Sequence, residues 1–135
     1  MKNFAYFVFM ISLLLNSCTS KQEKIELFTQ KGIENIHKGD NNSAIEDLTK
    51  VIKLQKDYFE AYYYRANAKF NLKQAKEALI DYNKAIEIKS DYADAYYNRG
   101  FCKQFIGDLT GACADWDQAE KLGKPNVKDM LNKCK

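Results

Sequence analysis

The chain has one proline, one histidine and six glycines in 135 residues, and each scarcity narrows the reading. So little Pro and Gly fits a mostly helical chain with tight turns, and no period-two alternation argues for strands. The lone His37 stands just before Gly39, where a histidine suits the carbonyls ending a helix. A general base needs an oriented partner and a pocket, and neither can be argued around it, so no catalytic residue is assigned. Cys102, Cys113 and Cys134 lack the paired short spacing of a zinc site, and no metal or cofactor is expected. A net charge of +3 comes from interleaved acids and bases, which reads as a solvated helix surface and leaves no basic stripe for nucleic acid. No apolar run is long enough to span a bilayer as a helix: the longest, residues 4–15, has twelve residues with only Ser12 polar.

That run follows Met1-Lys2 and ends in "LNSC", residues 15–18. It has the length and flanks of a signal-peptide apolar region. With Leu15 three before the Cys and Ser17 just before it, the segment resembles a bacterial lipoprotein signal. The resemblance implies cleavage after Ser17 and a lipid on Cys18, which would hold the chain at a membrane. An ordinary secretory signal cut after Ser20 is the alternative. Residues 18–24 are then a tether reaching at most ~20 Å.

The remainder, residues 25–135, is organised by repetition. "DYFEAYYYRANAKF" begins at Asp57 and "DYADAYYNRGFCKQ" at Asp91, 34 residues apart. Aligned on this phrase, residues 25–58, 59–92 and 93–126 form three rows without a gap. Position four holds Phe28, Tyr62 and Tyr96, and position eight holds Gly32, Ala66 and Gly100. Position 20 holds Ala44, Ala78 and Ala112; position 24 holds Leu48, Tyr82 and Trp116; position 27 holds Val51, Ala85 and Ala119. These offsets predict two helices per row, with small residues at positions eight and 20 letting the axes approach. Asp57 with Glu60, and Asp91 with Asp94, are expected to cap and charge the next helices. Arg65 and Arg99 at position seven lie level with Asp81 and Asp115 at position 23, which predicts structural ion pairs. Cys102 and Cys113 also lie level, either as small packing residues or, in an oxidising compartment, as a bridge that leaves Cys134 unpaired. Val127, Met130, Leu131 and Cys134 form one face of a short helix starting near Pro125, a lid over the last repeat within about residues 125–134.

The rows resemble the tetratricopeptide repeat (TPR), a 34-residue helix-turn-helix unit. The resemblance implies an all-α solenoid of three units plus a capping helix. It makes Phe28, Tyr62, Tyr82, Tyr96 and Trp116 core. It also assigns a concave groove to positions two, five, six, nine, twelve and thirteen. In row one these are Glu26, Thr29, Gln30, Ile33, Ile36 and His37; Glu60 and Asp94 take position two of the later rows. Tyr63, Asn67, Tyr97, Asn98 and Phe101 are the candidate ligand-binding residues, while Tyr64, Phe70 and Phe105 are divided between groove and packing. TPRs that clamp a terminal carboxylate need cations where Thr29, Ile33, Tyr64 and Asp94 stand. The expectation is a non-catalytic envelope lipoprotein, periplasmic or surface-facing, that binds an extended peptide or protein segment. A glycan or cell-wall module using the same aromatics is the alternative.

Overall fold

A computed structural model describes the backbone of residues 2–134 and the side chains of residues 20–134. Cys18 and the apolar run therefore lie outside the described side chains. Seven helices follow one another: α1 Lys2–Lys38, α2 Asn41–Leu54, α3 Phe59–Asn71, α4 Ala75–Ile88, α5 Ala93–Phe105, α6 Leu109–Lys121 and α7 Lys128–Asn132. Residues 20–24, expected as a tether, are helical and continue directly into the first repeat. Among the described residues there is no strand, and no helix is long and apolar enough to cross a membrane.

The helices pair as the row offsets require. Three hairpins, α1–α2, α3–α4 and α5–α6, each turn through one residue of positive φ: Gly39, Lys73 and Gly107. Asp40 and Asp108 accept from the backbone N–H of Ser43 and Gly111, at 3.1 and 2.8 Å, and so start α2 and α6. The starts of α3 and α5 differ from the sequence expectation. Their N-caps are Tyr58 and Tyr92, without a side-chain cap, so Asp57 and Asp91 do not cap. Glu60 and Asp94 do occupy the first turns, where they complement the helix dipole.

The residues of positions 20, 24 and 27 are fully or almost fully buried in all three hairpins. Leu48, Tyr82 and Trp116 enter the space left by Gly32, Ala66 and Gly100. Between hairpins the seam is made by alanine-sized residues: Ala61 and Ala95 at position three, Ala68 and Cys102 at position ten. Leu27 and Glu34, their counterparts in row one, are exposed because no described repeat stacks on that side. Position four departs from the expected core. Phe28, Tyr62 and Tyr96 are only half-buried, and each ring lies under a cation: Lys50, Arg65 and Arg99, at 4.9, 5.7 and 5.3 Å from the centroids. Position 24 alone fills the gap between the helices, which leaves position four at its rim.

The expected ion pairs form and extend further than a single hairpin. Arg65 grips the buried Asp81 through Nε and Nη2, at 2.8 and 2.7 Å, while its Nη1 donates to Thr49 of the preceding repeat at 3.0 Å. Arg99 repeats this with Asp115 at 2.8 and 2.6 Å and with Asn83 at 2.7 Å. Lys69 and Lys103 complete each carboxylate. A bidentate guanidinium with its third nitrogen on the neighbour fixes both the hairpin and the stacking of repeats.

The cap is shorter than expected and is fastened by a different bridge. Pro125 and Asn126 precede it in a turn, and α7 begins at Lys128. Its face, Val127, Met130 and Leu131, covers Ala112 and Trp116. Cys134 pairs with Cys113 across this contact, with Cα atoms 5.8 Å apart. The Cys102–Cys113 bridge therefore does not form. Cys102 faces the seam instead, buried, its thiol donating to the Ala75 carbonyl at 3.0 Å, and burial pushes its pKa up to about 11. Position ten is committed to the preceding repeat, which takes Cys102 away from its own hairpin.

A methyl group added at Gly100 would run into the indole nitrogen of Trp116, whose N–H is tied to the Tyr97 carbonyl at 3.1 Å. At Gly32 it would come within 2.7 Å of Leu48 Cγ, a flexible side chain. Gly100→Ala should accordingly lower stability by about 2 kcal/mol and Gly32→Ala by less than half of that, as read from urea midpoints.

Candidate functional site: the concave groove

The first helices α1, α3 and α5 touch in sequence and present their free faces side by side. Two hollows open on that surface. One, of about 680 Å³, is lined by Glu26, Thr29, Gln30, Ile33, Glu34, His37, Lys38 and Tyr58. The other, of about 210 Å³, is lined by Asn67, Phe70, Asn71, Tyr82, Asn98 and Phe101. Of the six groove residues expected in row one, five line the first hollow. Ile36 instead packs against the Leu48 and Val51 core.

Three of the five candidate binding residues sit around one polar network. The Tyr82 hydroxyl donates to Asn67 Oδ1 at 2.6 Å, and Asn98 Nδ2 donates to the same oxygen and to the Tyr63 hydroxyl, both at 3.0 Å. The network joins α3, α4 and α5, so these amides are partly structural. The Asn98 carbonyl oxygen takes no part in it. Because no buried side-chain nitrogen or oxygen among the described residues lacks a partner, that oxygen is not fully buried, and Asn98 lines the hollow with Phe70 and Phe101.

The aromatic candidates are walls rather than free-standing anchors. Tyr63 meets Tyr64 and Tyr92 edge-on, with centroids 5.1 and 4.9 Å apart, and packs against the Ala66 and Tyr82 core. Tyr97 meets Phe101 at 5.0 Å, carries Lys124 over its ring at 5.2 Å and packs with Phe101 against Trp116. Tyr64 and Phe70 likewise pack between first helices. Phe105 remains 54% exposed, edge-on to Phe70 at 5.7 Å. Burial raises the phenol pKa of Tyr63, Tyr82 and Tyr92, so all three stay protonated at neutral pH.

Sequence reasoning missed Tyr58 and Tyr92, the last residues of rows one and two, which face the groove beside Tyr63 and Tyr64. Their recurrence in the phrase "DY" was the available signal. Cations in the groove are few and occupied: Lys124 pairs with Asp94, and Lys38 with Glu34. No group of acids, histidines or cysteines among the described residues could hold a metal.

Family models described as tetratricopeptide repeat and TPR repeat match residues 25–58 and 66–104. The repeats are tetratricopeptide repeats. Among solved structures, the TPR domain of Arabidopsis OM64 is similar over 84% of this chain and 95% of its own, with 27% identity and a TM-score of 0.80. The first TPR of Spaghetti (RPAP3), solved with the HSP90 peptide SRMEEVD, is 26% identical over 82% of this chain and 90% of its own, with a TM-score of 0.79. The first TPR domain of human RPAP3 is also 26% identical, over 81% and 87%, with a TM-score of 0.77. No curated protein matches the chain significantly.

Adjacent tyrosines of the third TPR should respond differently to truncation, in the reverse of the order its row positions imply. Tyr97→Ala removes a ring from the Trp116 cluster and should cost roughly 2 to 3 kcal/mol, whereas Tyr96→Ala removes a half-exposed ring under Arg99 and should cost about 1 kcal/mol. Thermal melts of both variants read the order directly. The raised phenols set a second expectation. Above pH 10, the ordinary tyrosine value, the unfolded chain gives up protons that buried Tyr82 keeps. Stability is therefore full below that pH and falls as pH rises beyond it. Urea midpoints should decline from pH 9 to pH 11, and less steeply in Tyr82→Phe.

Proposed function

We propose that the protein is a non-catalytic binding scaffold of the bacterial cell envelope, held at a membrane by a lipid on Cys18, which takes an extended protein segment along its concave groove. The observation that carries the binding reading is Asn98, which lines a hollow with Phe70 and Phe101 and whose carbonyl oxygen stays outside the polar network. It offers an acceptor to a backbone N–H, with apolar walls for the neighbouring side chains. The peptide bound by the similar Spaghetti TPR supports the same use of the fold. The polar groups around the smaller hollow are amides and phenols held protonated, which do not exchange protons near neutral pH, and this supports binding rather than catalysis there.

A terminal carboxylate is disfavoured as the occupant, because Thr29, Ile33, Tyr64 and Asp94 offer no cation. Peptide is favoured over glycan because stacking a sugar needs an open aromatic face, and the rings of Tyr63, Tyr97 and Phe101 are already packed against their neighbours. The membrane attachment is supported by "LNSC" closing the apolar run. Mass spectrometry of the mature protein should find an acylated Cys18 at the N-terminus; a free N-terminus at Lys21 would exclude it.

Binding is tested with a photo-crosslinker placed at exposed Asn71, beside the smaller hollow, and another at Ile80, which is 68% exposed on α4. The Asn71 probe should capture a defined stretch of a protein, and Asn98→Ala should weaken that capture about tenfold while keeping stability within about 1 kcal/mol. Equal capture from Ile80, or none of the expected loss in Asn98→Ala, would remove the groove from consideration.

A further inference from the structure

The larger hollow differs from the rest of the groove in its charge. Ile33 and the Tyr58 ring give it apolar walls, and Thr29, nearly buried, donates its hydroxyl to the Ile25 carbonyl at 2.7 Å and lies against the Tyr58 phenol. The charges around it are not balanced. Glu34 and Lys38 neutralise each other at 2.6 Å. Among the described residues, Glu26 accepts only from the amide of Gln22, at 3.0 Å, and Glu60 forms no ion pair. Both carboxylates act on the Tyr58 phenol, whose pKa is raised first by burial, then by Glu60, and also by Glu26. Glu26 lines the hollow together with Tyr58, and Glu60 follows Tyr58 by two residues in the first turn of α3.

Position along the repeat sharpens the contrast. Glu26, Glu60 and Asp94 all occupy position two of their rows. In the third repeat the charge is cancelled, because Lys124 pairs with Asp94. Glu60 lies in the first turn of α3, where the helix dipole offsets part of its charge. Glu26 lies deep within α1 and has no such offset. The position-two carboxylates without an ion pair among the described residues are therefore those of the first two repeats, and Glu26 lines the hollow with the most apolar walls. The chain as a whole is cationic, so this is a local feature and not a reflection of net charge.

We propose that this hollow receives an apolar side chain of an extended partner segment, and that a lysine or arginine two residues from it, on the same face of the segment, is held between Glu26 and Glu60. The proposal rests on the groove reading and adds the chemistry of the occupant. An apolar wall beside two carboxylates suits a long cationic side chain twice over, since its methylenes lie on Tyr58 and Ile33 while its head meets the acids. The same acids repel acidic segments and free carboxyl termini, which gives selectivity by sign.

Three blocked octapeptides that differ only at one central position, Leu-Ala-Lys, Leu-Ala-Gln or Leu-Ala-Glu, test this against the full chain by fluorescence anisotropy, with NMR of the Ile33 methyl groups and the Asn98 amide. The lysine peptide should bind at least tenfold tighter than the glutamate peptide, with glutamine between them and the Ile33 methyl shifted. In the double variant Glu26→Gln, Glu60→Gln the preference should shrink to less than threefold. A preference that survives in the double variant, or equal binding of all three peptides, overturns the basic partner; if Ile33 and Asn98 still shift, the groove reading stands without it. Shifts confined to α2, α4 and α6 overturn both readings. Failure of all three peptides to bind overturns the proposal alone, and the Asn71 crosslink then decides for the groove.

Discussion

Each hairpin closes because a side chain from its second helix occupies space that its first helix leaves empty. Leu48 lies under Gly32, Tyr82 under Ala66 and Trp116 under Gly100, and the bulk of the filler sets how near the axes come. That spacing also places the arginine of one helix level with the buried aspartate of the other. The third nitrogen of each arginine then reaches the preceding repeat, so the same distance governs the stacking angle and hence the line-up of α1, α3 and α5. The groove is a consequence of a rule about small residues.

The hairpins were legible in the sequence because a large and a small residue recur at fixed offsets, and a 3.6-residue period converts those offsets into faces. What was not legible arises between repeats. Three consecutive tyrosines, Tyr62, Tyr63 and Tyr64, point about 100° apart on a helix, so one of them must take the rim and another the seam. Which one depends on where the next hairpin stacks, and that is decided by Ala61, Ala68, Ala95 and Cys102, residues too small to stand out. The same seam removes Cys102 from the reach of Cys113 and leaves Cys134 to take its place.

The groove residues show a related division. Their positions were readable, and five of six in row one line a single hollow. Their employment was not. Asn67 and Asn98 were read as ligand-binding residues, yet the hydroxyls of Tyr82 and Tyr63 occupy much of their bonding capacity. Hydrogen bonds between side chains 31 and 35 residues apart leave no trace in spacing, since any amide or hydroxyl at those positions looks alike. The outcome is a groove braced by its own polar network, which would lower the ordering cost of any ligand it takes.

The fastened cap has a consequence for length. With α7 bolted to α6 through Cys113 and Cys134, the surface on which another repeat would stack is taken, and the array behaves as a ruler with a fixed stop. Three first helices, spaced by roughly 8 to 10 Å, offer a track of about 20 to 25 Å. An extended strand advancing ~3.3 Å per residue crosses it in about six to eight residues. A linear segment laid along the groove would therefore touch it over only a short stretch, whatever its own length.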